Sequence, residues 1–179
     1  MDIFQRNIVT LLLLSGLALV TIKCASIPEQ IQSDKILNGP QLAQLRPLEK
    51  EIVNTSYEVR DQQNREVEFQ LAYENEKKDY DNLSGDERKS RKDFLEKAWL
   101  KYQMEKEKRI LTQLRLRERI SLLELKKAQM VSLESKEPVE VAKYERYHRK
   151  MEDDISFQNR KIRSIEESYA RIQPGGESK

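Results

Sequence analysis

The chain of 179 residues holds one cysteine, Cys24, and one histidine, His148, so its stock of strong nucleophiles and near-neutral bases is almost empty. A thiol nucleophile needs a base beside it, and these two residues sit in unlike settings. Cys24 follows an apolar run, whereas His148 lies in the charged stretch Tyr144-Glu145-Arg146-Tyr147-His148-Arg149-Lys150. A single thiol also excludes an intramolecular disulfide and a cysteine-rich metal centre. No H-E-x-x-H, G-x-S-x-G, phosphate-binding loop or dinucleotide fingerprint occurs. Acids abound, but the short run Glu152-Asp153-Asp154 reads as a solvated helix face rather than a metal site. The expectation is a non-enzymatic chain with no catalytic residue, metal or cofactor. His148 reads as a hydrogen-bonded residue in a helix seam, with a pH-responsive role as the sharper alternative.

The chemistry that remains belongs to Cys24. Met1 to Asn7 is a polar opening carrying Arg6, and Ile8 to Ile22 (IVTLLLLSGLALVTI) is a 15-residue apolar run. A charged opening before such a run describes a secretory signal peptide. The run is shorter than the ~20 residues a helix needs to span a bilayer. Thr21-Ile22-Lys23-Cys24-Ala25-Ser26 follows it, and this end resembles a bacterial lipoprotein signal of the spirochaete style. Lys23 stands at −1, where that family usually has a small residue. The resemblance implies cleavage before Cys24 and a diacylglycerol, with chains such as palmitate, on its sulfur. It further implies a protein held on a membrane of the bacterial cell envelope, at the periplasmic face or the cell surface. Buried acyl methylenes contribute ~0.8 kcal/mol each. Two other readings stay open: ordinary cleavage after Ser26, and an uncleaved membrane anchor.

The body of the chain must then be what Cys24 tethers. Charged residues make up 36% and aromatics 7%, and 33 basic side chains nearly balance 31 acidic ones. Such balance suits helices with solvated, ion-paired faces. It argues against a nucleic-acid partner, which calls for a basic excess. The basic clusters Arg88, Lys89, Arg91, Lys92 and Arg115, Arg117, Arg119 have acidic neighbours and read as helix surface. Asn54-Thr55-Ser56 and Asn82-Leu83-Ser84 match the glycosylation pattern, a coincidence in a bacterial chain.

Three stretches lack both proline and glycine: Leu48 to Leu83, Asp86 to Glu137, and Val139 to Gln173. They define an all-α fold of long antiparallel helices in a coiled-coil-like three-helix arrangement. The expected division is a signal peptide at 1–23, lipidated Cys24 with a flexible tether at 24–46, helices at about 47–82, 86–134 and 138–173, and a disordered tail at 174–179. The tether contains Asn38-Gly39-Pro40 and a short helical turn near Gln41–Leu45, and Pro47 suits the first turn of a helix.

The first helix has a gappy apolar stripe of Leu45, Leu48, Ile52, Val59, Val67, Tyr73, Tyr80 and Leu83, with Thr55, Gln63, Glu66 and Glu76 near it. Ser84 and Glu87 have capping-box spacing at the break that follows. The second helix carries two seams, which suits a middle helix. One is Leu100, Met104, Leu111, Leu114, Leu125 and Ala128, interrupted by Glu107, Glu118 and Ser121. The other is Leu116, Ile120, Leu123 and Met130, interrupted by Lys127. The third helix is cleanest: Val141, Tyr144, His148, Met151, Ile155, Gln158, Ile162, Ile165, Tyr169 and Ile172 repeat at three and four residues. Sustained spacing of this kind is the coiled-coil signal, and its polar members set register. Five acid–base pairs at i,i+4 (Glu74–Lys78, Glu87–Arg91, Asp93–Lys97, Glu105–Arg109 and Glu145–Arg149) are expected on the outer faces. Pro138 leaves a rival: a kink there would make a bent rod or hairpin that oligomerises.

These readings point to an envelope scaffold, spacer or docking partner that binds the membrane through lipid and an envelope protein or itself through its seams. The rivals are a membrane-anchored coiled coil with an uncleaved signal, and a soluble periplasmic helical chaperone. The tail ends on Lys179, similar to the murein lipoprotein, whose terminal lysine joins peptidoglycan.

Overall fold

A computed structural model describes residues 37–134 and 140–172. They form three helices: α1 Gly39–Asp81, α2 Gly85–Glu134 and α3 Val141–Arg171. The chain is all-α, and neighbouring helices pack antiparallel, α1 on α2 and α3 on α2. α1 and α3 flank α2 and do not pack on one another along their lengths. At 1.5 Å per residue the helices are about 65, 75 and 47 Å long. None of the described helices is long and apolar enough to cross a membrane.

α1 begins eight residues earlier than the expected start at Pro47. The segment Asn38-Gly39-Pro40, taken above as tether, is the helix start itself. Asn38 caps it: Gln41 N donates to Asn38 Oδ1 at 3.1 Å, and Asn38 N donates to Gln41 Oε1 at 2.9 Å. This reciprocal box satisfies two amides, and Pro40 occupies the first turn, where a missing amide costs nothing. Pro47 therefore lies inside the helix. An interior proline removes one backbone hydrogen bond, a loss of roughly 3 kcal/mol. Leu45 and Leu48 on either side of it are buried, which holds the turn in place.

Gly85 opens α2 with φ +58°, a left-handed conformation that glycine adopts freely. Ion pairing of Arg88 with Asp81 at 3.8 Å and Arg91 with Glu76 at 3.4 Å closes the first hairpin. At the other end Gln41 Nε2 donates to Glu134 Oε1 at 2.8 Å. α3 runs back antiparallel along α2, with His148 at Ser121 and Gln158 at Glu107, which excludes the bent rod. Pro138 itself lies outside the described residues, as do Cys24, the apolar run, most of the expected tether and the tail. The third helix starts at Val141 rather than at 138.

The core is thin and divided. Leu37, Leu45 and Leu48 pack with Leu123 and Val131 between α1 and α2, and Leu125 and Ala128 pack with Tyr144 between α2 and α3. A middle helix sharing two opposite faces cannot build one thick centre, so α2 needs apolar residues on both sides.

Candidate functional site

The polar residues that interrupt the seams are the most organised part of the molecule. On the α3 side of α2 the positions Leu100, Met104, Glu107, Leu111, Leu114, Glu118, Ser121, Leu125 and Ala128 step by four and three. All nine are buried or half-buried. Opposite them, Val141, Tyr144, His148, Met151, Ile155, Ile162, Ile165, Tyr169 and Ile172 are likewise buried or half-buried, with Gln158 buried among them.

The polar members meet each other. Gln158 Nε2 donates to Glu107 O at 3.0 Å and to Glu107 Oε2 at 2.7 Å. Lys161 Nζ reaches Glu107 Oε1 at 2.8 Å. His148 Nδ1 lies 3.0 Å from Ser121 Oγ, which also stands 2.6 Å from Glu118 O. When that hydroxyl donates to the Glu118 carbonyl, the ring must donate through Nδ1–H. His148 Nε2 stands 3.8 Å from carboxylate oxygens of both Glu118 and Glu152, too far for hydrogen bonds. The imidazole is therefore fixed by a hydroxyl on one side and faces two acids on the other. The Ser121 hydroxyl is itself buried in the helix interface and held at the Glu118 carbonyl.

The α1 side repeats the device. Gln62 Nε2 donates to Glu105 Oε2 at 2.6 Å, and Lys108 Nζ reaches Glu105 Oε1 at 2.8 Å. Arg109 pairs with Glu66 and Arg119 with Glu51 across the same interface. Arg91 and Arg109 thus find partners on α1 and not at i,i+4 within α2, contrary to the expected intrahelical pairs. A neighbouring helix brings a carboxylate to these arginines in a less hydrated setting, and there charge attraction is larger. Of the two basic clusters, Arg88, Arg91 and Arg119 pair with α1 and Lys89 pairs with Asp86.

The seam of α1 differs from the expected stripe at its middle. Steps of three and four from Leu45 pass Thr55, Gln62 and Phe69, which are buried or half-buried, whereas Val67 and Gln63 are exposed. The strict spacing signal favoured Gln62 over the nearby apolar Val67, because interface position outranks residue type.

Past the end of α3 the three-and-four steps on α2 fall on Lys97, Asp93, Ser90 and Asp86, all polar. Beside them a cleft of about 320 Å³ opens where α1, α2 and the end of α3 meet, lined by Phe69, Ala72, Glu76, Phe94, Lys97, Ala98, Lys101 and Tyr169. Tyr73, Trp99 and Tyr102 form an aromatic cluster at the same level, with centroids 5.2 to 6.2 Å apart. Its lining mixes apolar side chains with Glu76, Lys97 and Lys101, and His148 lies some 30 Å from Tyr169 along α3. Among the described residues no three His, Cys, Asp or Glu side chains group as metal ligands. What this arrangement can do is hold helices in register and offer side chains to another surface. No protein-family model, curated protein or solved structure matches the chain.

Proposed function

We propose that this chain is an exported, non-enzymatic lipoprotein of a bacterial cell envelope, working as a helical spacer or docking scaffold. One observation carries the docking part: α2, about 75 Å long, is clamped on both sides by matched polar and apolar seams along the roughly 47 Å that α3 covers, which stiffens the rod there. A stiff rod with a charged exterior and a cleft of mixed lining suits holding partners at a distance. The address rests on Arg6, the apolar run Ile8 to Ile22, and Cys24. With Cys24 acylated, one end of the rod is held at a membrane and the other reaches away from it.

The test is the mass of the N-terminal peptide from protein extracted from its native membrane. A peptide beginning at a multiply acylated Cys24 is expected. An unmodified peptide retaining Met1 to Lys23 would overturn the lipoprotein reading and make residues 8–22 a membrane anchor for the same scaffold.

A further inference from the structure

Four of the eight large hydrophobic side chains that stand exposed among the described residues lie on a single stripe of α1. They are Val53, Tyr57, Val67 and Leu71, at 46%, 63%, 54% and 55% exposure. This stripe is separate from the seam toward α2. Steps of three and four through it also pass Lys50, Arg60, Asn64 and Glu74, all exposed. α1 therefore carries a second, outward heptad pattern with nothing packed on it among the described residues. Its order is two-fold: an apolar pair, a polar centre of Arg60 and Asn64, then an apolar pair. A two-fold contact between identical chains needs such a self-complementary patch, because each position meets a different position of the same patch.

We propose that this outward stripe is a homodimer interface, in which two copies of the chain pair through antiparallel α1 helices. Val53 then packs against Leu71 of the second copy and Tyr57 against its Val67. Charge decides the orientation. The antiparallel register sets Lys50 opposite Glu74 and Glu49 opposite Lys77, four attractive pairs once both halves are counted. A parallel in-register pair would instead set Lys50 on Lys50, Arg60 on Arg60 and Glu74 on Glu74. Like charges in contact exclude wrong arrangements more effectively than opposite charges add affinity. The antiparallel register does carry costs: Arg46 faces Lys78 at each end, and Asp61 approaches its own copy beside Arg60. From Lys50 to Lys77 the paired length is about 40 Å. The inference does not depend on lipid at Cys24, so the mass of the N-terminal peptide leaves it untouched.

Sedimentation equilibrium of the full chain in detergent solution tests it. The native chain should sediment as a dimer. Val67→Glu should weaken the dimer by at least about tenfold, since it buries a charge, while helical circular dichroism stays unchanged. Glu74→Lys should weaken the dimer, and adding Lys50→Glu to it should restore the native strength. A native monomer, a dimer indifferent to Val67→Glu, or a double reversal as weak as the single one would each overturn the proposal.

Discussion

Glu105 and Glu107 stand two residues apart on α2 and face opposite neighbours, yet each is held by the same three-part clamp. Glu105 takes Gln62 from α1 and Lys108. Glu107 takes Gln158 from α3 and Lys161. The difference lies in where the lysine comes from and how dry the carboxylate is. Lys108 belongs to α2 itself, so the α1 clamp keeps its counter-charge even when the interface loosens. Lys161 belongs to α3, so the α3 clamp loses both partners at once. The Glu107 side chain is 5% exposed and that of Glu105 11%. The α3 interface is thus the more demanding one: a single misplaced turn of α3 would leave a buried carboxylate with nothing to hold it. Such layers specify register at a cost in stability.

The sharpest way to break this comparison is Gln158→Ala. It leaves the Glu107 carboxylate with Lys161 alone, and an under-satisfied buried charge should cost about 3 kcal/mol in urea unfolding followed by circular dichroism. Replacing both partners, Glu107→Leu with Gln158→Leu, should recover most of that loss and reveal a coupling of about 2 kcal/mol in the double-mutant cycle. The recovered protein should show broadened amide resonances in α3, because the layer that fixes register is gone. Gln62→Ala removes the equivalent residue on the α1 side, where Lys108 remains, and should cost only about 1 kcal/mol. Equal losses for Gln62→Ala and Gln158→Ala would show that the origin of the lysine is immaterial. Asp81→Ala removes a pair whose side chains are about half exposed. It should change stability by less than about 0.5 kcal/mol.

Much of this architecture is legible in the residues. Three stretches free of proline and glycine mark the bodies of three helices, although α1 reaches back through Pro47 to Gly39, and the three-and-four spacing from Val141 to Ile172 marks the face α3 buries. The polar breaks in the α2 seam, Glu107, Glu118 and Ser121, were visible as breaks but not as pairs. Which residue they meet depends on how far α3 slides along α2, and no local pattern encodes that distance. The start of α1 departs from the expectation for a different reason. Asn38-Gly39-Pro40 is turn chemistry and also helix-start chemistry, and only the Gln41 side chain folding back on Asn38 separates the two. Val67 stands exposed while its neighbour Glu66 occupies the seam, so an apolar residue beside a seam is a weaker guide than the spacing itself. The cleft beside Phe69 and Phe94 has no one-dimensional signal, since its walls come from three helices that meet only in the folded chain.

The sequence by itself determined the helical class, the seam of the third helix and the two-sided character of the second, because each follows from local propensity and periodicity along one chain. Only the tertiary structure chose the expected antiparallel return of α3 over the bent rod, and it alone set the pairing of Gln62 with Glu105 and Gln158 with Glu107 and the preference of Arg91 and Arg109 for partners on α1. Those outcomes depend on which charges and amides are desolvated together, and that is settled only when two helices meet at a particular register.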